Sequence, residues 1–301
     1  MNLKTNIGKL ELRNPTILAS GILCNGPLLK RAAVVGGASA VVTKTVTKEV
    51  REGYATPVLA GVDVGLINAV GLSNPGYEKY IDEDLAVAKQ SKVPVILSAG
   101  GSGVKEFREI CVLGEEARAD AVELNLSCPH VAKHGLQLGC DPVIVRQMVK
   151  EIKGSVSFPV LVKLGLSDNL VASAIAAQQA GADAVVAINA IKAMAIDVDA
   201  RTPVLSNVYG GLSGPAIHPV ALRCVHELSK KLTVPIIGCG GVQDWRTAVE
   251  FFIAGASAVQ VGSALATEGI GIFKEINRGI EGYLKVNDFK SLKEIIGCMD
   301  V

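Results

Sequence analysis

The sequence contains no apolar run near the ~20 residues needed to span a bilayer, and its first residues, MNLKTNIGKLELRN, hold no apolar stretch of a signal peptide. Both absences lead to the expectation of a cytoplasmic protein without a membrane partner. Net charge is nearly absent too: 30 basic and 29 acidic residues leave +1, so no whole-chain field favours nucleic acid or an anionic surface. Any anion must be bound locally. The seven cysteines, Cys24, Cys111, Cys128, Cys140, Cys224, Cys239 and Cys298, form no CxxC pair and no spacing with histidine suited to zinc. No metal site is expected, and in reducing cytosol the thiols stay free. No Gly-x-Gly-x-x-Gly follows the first strand candidate, which argues against an open doubly wound dinucleotide fold. Linkers and low-complexity tracts are missing, so residues 1–301 read as one domain.

What is present is a large apolar fraction, 49% of 301 residues, enough to fill one big α/β barrel or two ordinary domains, between which length alone does not choose. One pattern of small residues followed by a β-branched run recurs four times: GGASAVVTKT from Gly36, ARADAVELNLS from Ala117, AGADAVVAINA from Ala180 and AGASAVQVGSA from Ala254. Between the copies lie VPVILSAG from Val93, FPVLVKLG from Phe158 and VPIIGCGG from Val234, each opened by a proline suited to a first strand position. PTILASG from Pro15 completes eight strands. They are apolar on both faces, as in a parallel sheet covered by helices, and helical stretches at 141–153, 170–180, 219–232 and 244–254 alternate with them. The pattern predicts a (β/α)8 TIM barrel, with the first dozen residues a short N-terminal β-hairpin closing its bottom.

Catalytic groups of such barrels sit at the C-terminal strand ends, and here those ends are polar: Ser20 and Gly21, Lys44 and Thr45, Ser98, Asn125 with Cys128, Lys163, Asn189, Gly240 and Gly241, then Gly262 and Ser263. Lysines and asparagines ending apolar strands are costly to bury without partners. A polar, anionic ligand supplies such partners; a pairing acid is the structural alternative. The glycines after strands 7 and 8 let backbone N–H groups approach phosphate closely, and FMN is the better guess because nothing resembles an adenine-binding unit. Between strands 2 and 3, residues 68–76 read as a turn-rich loop with two amides suited to imide or carboxylate groups, or as an ordinary turn. Cys128 follows strand 4 in a segment containing Pro129, His134, Gly135 and Gly139, where an exposed thiol can act as base or nucleophile. Lys163 also admits a Schiff-base role in a phosphate-binding aldolase.

Taken together, ASG from Ala19, TKT from Thr43, NAVGLSNPG from Asn68, ELNLSCP from Glu123, VKL from Val162 and NVYGGLSGPAIHPVALR at 207–223 resemble the dihydroorotate dehydrogenase family, specifically its class 1B catalytic subunit, over nearly the whole chain. The resemblance implies that Ser20, Lys44, Thr45, Ser98, Asn125, Lys163, Ile188, Gly214, Gly240, Gly241, Gly262 and Ser263 bind FMN. It places dihydroorotate or orotate against Lys44, Asn68, Ala69, Val70, Gly71, Leu72, Asn125, Asn189 and Ala190. It makes Cys128 the base that removes the C5 proton while hydride leaves C6 for the flavin, and gives Lys163 the stabilisation of negative charge on the reduced ring. A partner subunit carrying FAD and a [2Fe-2S] cluster would pass electrons to NAD, in a heterotetramer built on a homodimer. This chain has no cysteine grouping for such a cluster.

Class 1A relatives also use cysteine but donate to fumarate; class 2 enzymes use serine and carry an N-terminal extension. His130 stands where many relatives have asparagine, Ala190 where threonine is common and Ser98 where asparagine is frequent. The sequence SCPH from Ser127 also occurs in the dihydropyrimidine dehydrogenase branch, which acts on uracil and thymine and is the alternative substrate class.

Overall fold

Eight short parallel strands are joined edge to edge in chain order: β1 (Thr16–Leu18), β2 (Ala40–Val42), β3 (Val95–Ala99), β4 (Ala121–Asn125), β5 (Val160–Leu164), β6 (Ala184–Ala187), β7 (Ile236–Cys239) and β8 (Ala258–Val261). β8 pairs with β1 and the sheet closes into a barrel, the (β/α)8 architecture read from the sequence. The computed structural model describes residues 1–127 and 138–300.

Alternation along each strand sorts side chains between two cores. Ile17, Ala40, Val42, Ile96, Ala121, Leu161, Ala184, Val186, Ile237 and Ala258 share the barrel interior. Their strand neighbours, such as Val122, Leu124, Val160, Val162 and Val259, join the larger core beneath the helices. The interior cluster is completed by Ile7, Leu10 and Leu12 from an antiparallel hairpin of Thr5–Ile7 with Leu10–Leu12. That hairpin is the expected N-terminal one.

The expected helices are present within a few residues: Pro142–Lys153, Leu170–Gln179, His218–Ser229 and Trp245–Ile253. Asp141 caps the first, its carboxylate accepting from Val143 N at 2.8 Å. Asp244 caps the last through a reciprocal pair with Thr247, which satisfies N–H groups that a helix start leaves open. No helix among the described residues is long and apolar enough to cross a membrane.

A second, antiparallel sheet was not legible in the sequence. It runs Ile191–Ala193, Gly210–Ser213, Gly65–Asn68, Leu59–Val62. Asn68 therefore ends a strand and does not begin the loop that follows. Glycine-rich strands carry little propensity signal, and here glycine has a packing cause: a methyl group on Gly210 would lie 2.7 Å from the Asn68 carbonyl oxygen.

Candidate active site

The C-terminal ends of β1 to β4 and β6 carry one connected chain of hydroxyls and amides. Thr45 Oγ1 is its hub, 3.1 Å from Ser20 Oγ and 2.8 Å from Ser98 Oγ, and it accepts from Asn125 Nδ2 at 3.2 Å. Ser127 Oγ donates to Asn125 Oδ1 at 2.9 Å and accepts from Asn189 Nδ2 at 2.6 Å. Asn189 Oδ1 in turn accepts from Ala190 N at 2.8 Å. The sequence pointed to Ser20, Thr45, Ser98, Asn125, Asn189 and Ala190; the structure brings all six together. Ser127 was not singled out, although its place between Asn125 and Cys128 was the available signal. Ile188 is buried beside Asn189, its N–H donating to the Cys239 carbonyl at 2.8 Å, and the Ala187–Ile188 peptide is cis. Cys128, His130 and His134 lie outside the described residues.

Lys163, in β5, points into the barrel and meets two residues that sequence reasoning missed. Its Nζ donates to Gln260 Oε1 at 2.8 Å; Gln260 Nε2 donates to Glu123 Oε2 at 2.5 Å; Glu123 Oε1 stands 3.7 Å from Lys163 Nζ and accepts no hydrogen bond among the described residues. Glu123 and Gln260 are fully buried. Their interior position follows from alternation with Ala121 in β4 and Ala258 in β8, which was the signal that could have found them. Burial alone lowers the affinity of the lysine for its proton, but Cys239 and Glu123 outweigh it and hold Lys163 above its ordinary value. Burial pushes the Cys239 thiol up, although Lys163 pulls it the other way. The pairing-acid alternative thus holds for Lys163, and an amine kept as ammonium is unsuited to Schiff-base chemistry.

Lys44 is also buried, yet no described residue accepts from its Nζ. The loop after Asn68 is fixed from within. Asn74 accepts from Thr47 N at 3.2 Å and Gly76 N at 3.0 Å and donates to Thr47 Oγ1 and the Leu72 carbonyl at 2.9 and 2.7 Å. Its amide is spent on the turn, so the structural reading wins for Asn74. Asn68 Nδ2 donates to the Gly211 carbonyl at 3.2 Å, while Ala69 is buried against Ile67 and Leu205. Gly71 and Leu72 both take left-handed conformations, with φ of 73° and 57°, and Val70 accepts from Tyr54 N.

Beyond β7 and β8, Gly214, Gly240, Gly241, Gly262 and Ser263 converge. Gly241 has φ +71°, and a methyl group there would lie 2.6 Å from His218 Cβ and 2.9 Å from the Gly214 carbonyl oxygen. A methyl on Gly214 would point within 3.7 Å of Ser263 Oγ. The N–H groups of Gly240, Gly241, Gly262 and Ser263 donate to no described residue. His218, missed by sequence reasoning, braces this turn: Nδ1 lies 3.3 Å from the Gly240 carbonyl and Nε2 2.5 Å from Glu250 Oε2.

Among the described residues, the rim therefore offers N–H donors that meet no acceptor and a buried lysine whose Nζ has no partner, above a barrel that holds a second ammonium. Open donors in that number suit an anionic, hydrogen-bonding ligand. Comparison with known proteins points the same way. A family model described as dihydroorotate dehydrogenase matches residues 2–284. The chain is 46% identical over 296 residues to the dihydroorotate dehydrogenase B (NAD(+)) catalytic subunit of Pyrococcus horikoshii, covering 98% of this chain and 97% of that protein. It is 47% identical to the protein of the same name from Methanocella arvoryzae, over 99% and 97% of the two chains, and 45% identical to that of Thermoplasma volcanium, over 98% of each. With a barrel of the expected topology, a polar rim and matches along its whole length, this chain belongs to the dihydroorotate dehydrogenase family.

Proposed function

We propose that this chain is the FMN-binding catalytic subunit of a cytoplasmic dihydroorotate dehydrogenase, oxidising (S)-dihydroorotate to orotate in de novo pyrimidine biosynthesis and sending electrons to NAD through a partner subunit with FAD and a [2Fe-2S] cluster. The observation that carries the reading is the set of donors at the rim that meet no acceptor among the described residues, Lys44 Nζ and the four N–H groups of the glycine turns, at the strand ends of a barrel that also buries Lys163. The residues fit FMN. The N–H groups at Gly240, Gly241, Gly262 and Ser263 would hold its phosphate, and Lys44, Lys163, Thr45 and Asn125 would face its ring system.

When bound, FMN supplies the two-electron acceptor. The protein's own share is positioning and proton handling. Asn68, Asn125 and Asn189 would hold the substrate's imide and carboxylate groups through their amides, together with the backbone from Ala69 to Leu72 and the small Ala190. Cys128, directly after Ser127 in the chain, would take the C5 proton as a thiolate. Two copies of this chain and two partner subunits would form a heterotetramer.

The test is direct. Purified protein should be yellow with one FMN per chain, and anaerobic dihydroorotate should bleach it; bleaching by dihydrouracil instead would assign the chain to the uracil and thymine branch. Turnover with fumarate but not with NAD plus a flavin/iron–sulfur partner would remove the partner from the scheme. Cys128→Ser should slow flavin reduction by orders of magnitude near neutral pH with partial recovery at high pH, and an unchanged rate would exclude the cysteine as base.

A further inference from the structure

We infer that Glu123 and Gln260 are positioning residues that act through Lys163: the Glu123 carboxylate, relayed by the Gln260 amide, keeps the lysine charged and fixed in the barrel. The inference rests on the reading of Lys163 as facing the flavin, and adds a charge control behind it. The three groups come from β4, β5 and β8 and form a closed triangle inside the barrel, with side-chain exposure of 5% at Lys163 and 0% at Glu123. The polarity of the Gln260 amide is dictated by its neighbours. Its carbonyl oxygen has to face the ammonium and its NH2 the carboxylate, because the reverse orientation would set donor against donor and acceptor against acceptor. The amide thus transmits the position of one charge to the other.

Charge balance gives the triangle its consequence. A lysine this deeply buried loses its proton readily unless an opposite charge compensates, and the other titratable group reaching it among the described residues is Cys239, whose burial favours the neutral thiol. Glu123, 3.7 Å from Nζ and joined to it through Gln260, is therefore the acidic group placed to hold the Lys163 ammonium. Glu123 Oε1 accepts no hydrogen bond from a described residue and stands 3.7 Å from the lysine Nζ. One ammonium proton is given to Gln260; the others are left for whatever occupies the barrel mouth.

The experiment uses the flavin-loaded protein with lysine labelled at 15Nζ, the Lys163 signal being identified by its loss in Lys163→Met. In the wild type, the signal should stay at the ammonium position through pH 10. In Glu123→Gln it should move to the amine position at a pH at least one unit lower, about a tenfold weaker hold on the proton. Gln260→Leu, which leaves the carboxylate but removes the relay, should shift it in the same direction by at least threefold. The midpoint potential of the bound flavin gives a second readout: in Glu123→Gln its dependence on pH should steepen by about 30 mV per unit, the two-electron equivalent of a tenfold factor. A Lys163 titration unmoved in both variants would overturn the inference even with normal dihydroorotate oxidation. A protein that carries no flavin but shows the shift would overturn the functional reading and leave the triangle standing.

Discussion

Asn189 Nδ2 donates to Ser127 Oγ across 2.6 Å, tying the end of β6 to the residue immediately before Cys128. Ser127 also donates to Asn125, so one hydroxyl orients two amides of the rim. Ser127→Ala removes both bonds. Because neutral hydrogen bonds contribute about 1 kcal/mol each, the expected loss of stability is about 1–2 kcal/mol, while flavin reduction by dihydroorotate should slow by about tenfold or more, since misoriented amides cost transition-state alignment. Thermal melting and anaerobic stopped-flow absorbance measure the two. An unchanged rate would place the pair outside the reaction.

Lys163→Met should destabilise the fold by about 3–5 kcal/mol, the usual result of stranding one member of a buried ion pair. Adding Glu123→Gln should recover much of that loss, because the second change removes the stranded carboxylate. Urea unfolding of both variants decides; additive losses would mean that the two side chains are not energetically coupled.

Gly241→Ala introduces a methyl group into a backbone with φ +71° and against His218 and the Gly214 carbonyl. Left-handed strain and overpacking together predict a cost of about 2–4 kcal/mol. The turn also carries two of the N–H groups that meet no acceptor among the described residues, so FMN should dissociate at least tenfold more readily. Gly262, where a methyl would meet nothing closer than 3.4 Å, is the contrast: Gly262→Ala should fold nearly normally and be tested for FMN affinity by fluorescence on release.

Stability should fall in alkali. Burial raises Cys111, Cys224 and Cys239 above the ordinary thiol value of 9.0 and Tyr80 above 10.0, and Lys163 is raised above 10.5. Each group binds its proton more tightly folded than unfolded. Its contribution is therefore complete below the ordinary value and is lost as pH rises through the folded one. The urea midpoint should hold steady from pH 7 to 8.5 and decline from about pH 9 upward. A midpoint that rises over that range would contradict the sign. Cys24 and Cys298, both exposed, should be alkylated at pH 8 while buried Cys111 is spared.

The eight barrel strands were legible because a parallel sheet covered on both faces needs continuous apolar runs, and runs such as VPVILSAG admit few other environments. The polar strand ends were equally legible, since Lys44, Asn125 and Lys163 interrupt those runs where a barrel places its site. The flanking sheet was not, because GGLS at Gly210–Ser213 is a strand through the close approach of Asn68 and Ala190, neither of them local in sequence. The composition of the loop did not separate Asn68 from Asn74, and only the family resemblance singled out Asn68; the fold spends the Asn74 amide on its own turn.

The sequence by itself determined the barrel and the chemical types at its rim, because strand periodicity and the position of polar residues along each strand are local properties of the chain. Only the tertiary structure decided who partners whom. Glu123 and Gln260 are 137 residues apart, and nothing in either strand marks them as neighbours of Lys163 until closure of the barrel points all three side chains at one axis. A hydrogen bond depends on distances between elements, and those are set by packing of the whole fold.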